Sequence, residues 1–233
     1  MGRRAAGAVF AIFALAALGL LGGCGGSSSS GNGVASKSPE QILAASKAAA
    51  DGASSAHVSG SIVTGGGSIG LDLSLSSTGG RGQLSLGGLG FELIETGATV
   101  YIKGSAALYR HIAGAEAAKL LQGRWLKAPS SAPEFASIAS LTNLHGLIDA
   151  TLADHGTLTK LATTTVDGQK VVGLRDVANG ETIYVATVGK PYPVQVTRTG
   201  SGGGTVHFSS WNAPVTIAAP ANAIDLAQLR TGH

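Results

Sequence analysis

The chain has 233 residues, 36 of them glycine, with 12% charged and 5% aromatic side chains, one cysteine and a formal net charge of +3. That length suffices for one domain of ordinary stability. A single cysteine excludes a disulfide scaffold. With no run of lysine and arginine and no aromatic–basic motif, the basic balance gives no nucleic-acid interface.

The N-terminus has the layout of an export signal. Arg3 and Arg4 precede an uncharged apolar stretch, residues 5–20, and Leu21-Gly22-Gly23-Cys24 closes it. A cysteine directly after small residues reads as a lipobox, whose sulfur receives a diacylglycerol before residues 1–23 are removed. A transmembrane anchor needs about 20 apolar residues; this run is shorter, and no basic stop-transfer cluster follows it. Two or three acyl chains hold a protein stably, which places this one on the extracytoplasmic face of the cell membrane. Loss of Arg3 and Arg4 from the 16 basic residues leaves 14 against 13 acidic ones, so the mature chain is close to neutral. Residues 24–37 hold the lipidated cysteine and a glycine- and serine-rich stretch, a flexible tether with a reach of about 20 Å.

The folded domain is expected over residues 38–233. Ser38-Pro39-Glu40-Gln41 combines a capping serine, a proline at the first helical position and a glutamine three residues after the cap. Ile42, Leu43, Ser46, Ala49 and Ala50 continue at helical spacing, and Asp51-Gly52 ends the helix. The period then drops to two. Strands centred on Val58 to Ile62, Leu71 to Leu75, Gln83 to Leu86, Phe91 to Leu93 and Val100 to Lys103 are separated by glycine turns, which describes an antiparallel meander. Helices between these strands, as a parallel sheet requires, have no room.

The middle of the chain is helical again. Residues 113–122 form one helix, followed by a strand at Arg124-Trp125-Leu126-Lys127. Phe135, Ile138, Leu141, Leu144, Leu147, Ile148 and Leu152 then recur every three or four residues, in a stripe interrupted near His145-Gly146. Strands resume over residues 157–166, 170–174, 182–187, 192–199, 205–211 and 215–218, with Asp167-Gly168 and Asn179-Gly180 as hairpin turns. The class is α+β. Two or three helices cover ten or so strands only if the sheet is strongly curved, a half-barrel with the helices across its concave face. Such curvature leaves either a cavity or a core packed with small residues between the layers.

Signals for chemistry are sparse. Gly66-Gly67-Ser68-Ile69-Gly70 matches a hydrolase nucleophile pattern, but that motif needs a strand before it and a helix after it, and an alternating strand follows here. The six histidines, His57, His111, His145, His155, His207 and His233, show no metal-ligand spacing. Glu92 with Glu95 and Asp149 with Asp154 read as solvated charges, and Trp125 and Trp211 as core or sheet-edge residues. No catalytic residue, metal or cofactor is assigned.

Several segments carry a resemblance. The lipobox, the tether, the first helix and Ser54-Ser55-Ala56-His57-Val58 opening the sheet resemble the mycobacterial lipoproteins of the LppX and LprG type. So do Gly97-Ala98-Thr99-Val100-Tyr101-Ile102-Lys103, the tryptophan of Gly123-Arg124-Trp125, Gly189-Lys190-Pro191-Tyr192-Pro193, and Phe208-Ser209-Ser210-Trp211 with Pro214-Val215. The resemblance spans most of residues 38–220 and implies a LolA/LolB-like half-barrel, an apolar cavity for acyl chains of lipids or lipoglycans, and no catalytic machinery.

Two functions are compatible with these observations. One is a monomeric, membrane-tethered carrier that shields an acyl chain. Phe135, Ile138, Leu141, Leu144, Leu147 and Ile148 then form one wall of its cavity, and Leu71, Leu73, Leu75, Leu84, Leu86 and Ile102 the other. The alternative is an envelope scaffolding or interaction module with a filled core and no lipid ligand.

Overall fold

A computed structural model describes residues 31–231 apart from 66, 154 and 201. The export signal, Cys24 and the first part of the expected tether lie outside the described residues. The first helix, α1 (Pro39–Asp51), starts with the complete capping box: the Gln41 amide donates to the Ser38 hydroxyl at 3.3 Å, and the Ser38 amide donates to the Gln41 side chain at 3.2 Å. Residues 31–37, expected as tether, dock on the sheet instead. Asn32 donates from its side chain to the carbonyls of Ala186 and Gly189, Val34 is 2% exposed in the core, and Lys160 reaches the carbonyls of Ala35 and Lys37.

Six strands follow as a meander interrupted by one helix: β1 (Ser55–Thr64), β2 (Gly67–Ser76), β3 (Gly79–Leu86), β4 (Leu89–Thr96), β5 (Thr99–Gly104), then α2 (Ala106–Leu121) and β6 (Leu126–Pro129). The α3 (Pro133–Ser140) and α4 (Leu144–Ala153) helices share the apolar stripe and are separated at residues 141–143. A second meander comprises β7 (Leu158–Val166), β8 (Gln169–Asp176), β9 (Glu181–Ala186), β10 (Pro193–Arg198) and β11 (Gly204–Ser209), and the chain ends in β12 (Ile224–Asp225) and α5 (Leu226–Thr231). All twelve strands form one open sheet in the order β12-β6-β5-β4-β3-β2-β1-β11-β10-β9-β8-β7. The fold is the α+β half-barrel expected.

Three elements differ from the sequence expectation. The α2 helix begins seven residues earlier than the predicted start at 113, capped by the Ser105 hydroxyl, and breaks at Gly114, whose φ of 84° is not helical. The predicted strand at 215–218 does not form; it lies between Pro214 and Pro220, which lack the amides a ladder needs. The last strand is β12, joined to β6 in parallel through the Ile224 amide and the Trp125 carbonyl.

Glycine permits the curvature. Gly60 (φ 145°) and Gly82 (φ 159°) sit where a Cβ would lie 2.0 Å from the carbonyl oxygens of Thr205 and Asp72. No larger residue fits such close strands in that conformation. Register shifts in β7–β8 and β9–β10 add to the bend. The main core lies on the concave side: Ile42, Ala50, Val58, Leu73, Leu75, Leu93, Val100, Leu174, Ile183, Val185 and Phe208 are all nearly fully buried. Here α1 covers β7, β9 and β10 and packs on α4, whose Leu144, Ile148 and Leu152 complete the cluster. Among the described residues, the sheet is covered by its own helices around one main core.

Candidate functional site

The other half of the concave side is not filled. Between β2–β6 and the helices α2, α3 and α5 lies a cavity of about 700 Å³. The sheet contributes Ile69, Leu84, Leu86, Phe91, Val100 and Ile102, and Leu126 and Ala128 of β6 extend this floor. Phe135 and Ile138 of α3 and Leu141 just after it face them, joined by Leu108 and Tyr109 of α2 and Leu226 of α5. Alternation makes the floor: on each strand every second side chain points to the concave face. Helical spacing makes the roof, since 135, 138 and 141 fall on one side of their segment.

Ser85 and Tyr109 are the only polar residues of this lining, and no charged residue belongs to it. The Tyr109 ring is 2% exposed, and its oxygen accepts a hydrogen bond from the Gly104 amide at 2.8 Å. Burial raises the tyrosine pKa above its ordinary value, against the opposing effects of that amide and of Lys103. The phenol therefore stays neutral, and its hydrogen bond fixes α2 over the end of β5. At the β3–β4 turn the lining reaches the surface, since Leu86 is both a lining residue and 52% exposed.

Of the twelve side chains expected to form the walls, Leu84, Leu86, Ile102, Phe135, Ile138 and Leu141 line this cavity. Leu73, Leu75, Leu144 and Ile148 are at most 1% exposed and pack into the filled core beside it. Leu147 packs against that core from its edge, and Leu71 borders a more open hollow of about 520 Å³ with Asp72 and Gln83. The sequence reading missed Ile69, Phe91, Val100, Leu108, Tyr109, Leu126, Ala128 and Leu226. Val100, Phe91 and Leu126 lay in strands already recognised, and their alternation with the assigned residues was the available signal.

The residues considered for other chemistry pair locally. His57 lies between Asp72 (2.8 Å) and Ser209 (3.3 Å) as a cross-strand set on the outer face, and His207 contacts Asp167 at 2.7 Å. His145 contacts the Asp51 carbonyl and His155 that of Gly156, while His111 is exposed. Among the described residues no group of three potential ligands could hold a metal. Glu92 pairs with Lys103 at 2.7 Å, Glu95 accepts from the Thr142 hydroxyl, and Asp149 pairs with Lys47; Asp154 is outside the described residues. Ser68 sits in β2 and is followed by strand. Trp125 lies under the Lys103 ammonium, and Trp211 stacks on Tyr192 with ring centroids 4.5 Å apart.

Among solved structures, the chain is similar to LprF from Mycobacterium bovis, with 18% identity and a TM-score of 0.54, over 79% of this chain and 98% of that one. It is also similar to the Mycobacterium tuberculosis lipoprotein LppX, with 19% identity and a TM-score of 0.50, over 78% and 100% of the two chains. No family model matches the sequence, and no curated protein matches closely enough to count as a relative. At such identity the likeness is one of fold: the chain shares the overall architecture of LprF and LppX.

Proposed function

We propose that this chain is a membrane-anchored envelope lipoprotein that carries an amphiphile, a lipid or lipoglycan, with an acyl chain in the cavity and the head group outside. The observation that carries this reading is the cavity of about 700 Å³, apolar on both walls and uncharged throughout. That volume falls within the range of small-molecule sites. Each buried methylene contributes about 0.8 kcal/mol, so a dozen carbons bind without specific polar contacts. The fold shared with the lipoprotein LppX agrees with it. The lipobox at Cys24 supplies the anchor, and among the described residues no helix is long and apolar enough to cross a membrane. The lining holds only two polar residues, Ser85 and Tyr109, which suits binding rather than catalysis.

Native mass spectrometry of a soluble form beginning at Gly25, exported from a lipid-containing host, tests this. Bound lipid should be released on denaturation. Ile138→Trp, which fills the space between α3 and β3–β5, should abolish that lipid and cut uptake of a fluorescent acyl probe by about tenfold or more. A lipid-free protein that takes up no probe would leave the scaffolding module as the better reading.

A further inference from the structure

The two rims of the curved sheet differ in chemistry. Antiparallel alternation places four turns along one rim: β8–β9, β10–β11, β1–β2 and β3–β4. They touch in sequence around the arc. The Thr199 amide donates to the Gly180 carbonyl at 3.0 Å, the Val63 amide to Gly203 at 2.7 Å, and the Gly87 amide to Ser68 at 3.0 Å. No charged residue occurs in residues 177–180, 199–204, 63–70 or 86–91.

Four large aliphatic side chains are more than half exposed among the described residues, and three of them stand on this rim: Val177 at 70%, Val63 at 52% and Leu86 at 52%. The charges that flank these turns are paired: Glu92 meets Lys103 at 2.7 Å, Asp72 meets His57 at 2.8 Å, and Arg198 meets Glu181 at 2.7 Å. Asp176 is 1% exposed and accepts from the Gly156 and Ala178 amides, while Glu181, 5% exposed, takes both Nε and Nη2 of Arg198. The opposite rim carries Asp167, Lys170 and Lys190, and there the Asn32 amide binds the Thr187 carbonyl.

Turns facing water ordinarily collect polar and charged residues. A row of four turns without charge that displays valine and leucine suits the head-group/acyl boundary of a bilayer, where apolar side chains are buried and a charge would have to be desolvated. It is also continuous with the cavity, because Leu86 is both rim and lining and Ile69 pairs with it across β2–β3. The geometry points to a lipid membrane as the occupant of this rim: the four turns dock on the uncharged interfacial layer and bring the cavity mouth to the surface between which and the protein an acyl chain passes. This rests on the carrier reading.

The soluble form beginning at Gly25 is floated with phosphatidylcholine vesicles, and uptake of a monomeric fluorescent acyl probe from solution is measured alongside. The protein should float with the vesicles to the same extent at low and high salt, since no charge takes part. Val63→Ser combined with Val177→Ser should lower the vesicle partition by about tenfold or more and leave probe uptake unchanged. Lys190→Ser, on the other rim, should change neither. Both valines are exposed, and each single variant is measured too, so a folding defect in the pair does not remove the test. Probe uptake without flotation overturns the docking rim and leaves the carrier intact. Flotation that needs the valines, with no probe uptake, upholds the rim and overturns the carrier. Flotation that salt abolishes, that survives the double substitution, or that needs an added protein overturns the rim.

Discussion

Individual residues show where the core is under tension and where it is clamped. Ser46 faces the core from α1 at 0% exposure, and its hydroxyl has no hydrogen-bond partner among the described residues. A buried hydroxyl without a partner carries a desolvation cost that an alanine methyl does not. Ser46→Ala is therefore expected to stabilise the protein by about 1 kcal/mol, read as a higher urea midpoint at constant slope. Asp176 is the opposite case. Its carboxylate takes the Gly156 amide at 2.6 Å and the Ala178, Asn179 backbone and Asn179 side-chain donors, tying the start of β7 to the β8–β9 turn. The Gly156 amide first, then the Asn179 and Ala178 donors, outweigh burial and hold its pKa below the ordinary carboxylate value. A folded pKa below the unfolded one means that the stabilisation is fully present above the ordinary value, near pH 4, and is lost as pH falls through the lowered folded value. Urea midpoints between neutral and strongly acid pH should fall less steeply in Asp176→Asn, which starts from lower stability at neutral pH.

At the scale of elements, α2 decides whether the cavity keeps its wall. The helix meets the sheet through Tyr109, whose phenol satisfies the Gly104 amide at the end of β5. A Cβ on Gly104 would approach that ring to 2.9 Å, so ring and backbone are in close contact. Tyr109→Phe keeps the ring but leaves a buried amide without its acceptor, and should cost about 1–2 kcal/mol. Hydrogen exchange at the Gly104 amide and along residues 106–113 should accelerate more than exchange in α1. That tertiary bond also explains why the start of α2 was not legible in the sequence: residues 106–112 lack an amphipathic pattern of their own, and the helix is fixed by what Leu108 and Tyr109 touch. The α1 start was legible because a capping box is contained in four consecutive residues, and the meander because alternation and glycine turns are local. The docked segment 31–37 was not, since Asn32 is held by carbonyls more than 150 residues away. The site was half legible for a similar reason. Periodicity says which side chains face inward, so Leu75 and Leu84, or Leu144 and Leu141, look alike. It does not say whether another side chain fills the space in front of each one, and that alone separates core from cavity.

At the scale of the molecule, the fold is two meanders joined by one seam. The β1–β6 half bears the cavity, both halves contribute to the buried core, and β1·β11 is the only ladder between them among the described residues. Helix α1 lies on the β7–β11 half, touching β7, β9 and β10, and packs on α4. Such an arrangement could unfold in halves or as a unit, and the core decides which. Phe208, on the seam strand β11, is 2% exposed and lies 6.1 Å from the Trp211 ring, which stacks in turn on Tyr192; the same cluster contains Val58 of β1 and Leu93 of β4. Because one contiguous set of side chains spans the seam, loss of packing there is felt on both sides. Phe208→Ala should lower stability by about 3–5 kcal/mol, yet unfolding should remain a single transition. Tryptophan fluorescence, which reports on Trp125 in the cavity half and Trp211 at the seam, should change at the same urea concentration as the circular dichroism of the whole sheet. Amide exchange in β4 and in β9 should accelerate by the same factor. If β9 alone loses protection, the halves are separate cooperative units, and the cavity half could then open around a ligand while the β7–β11 half stays closed.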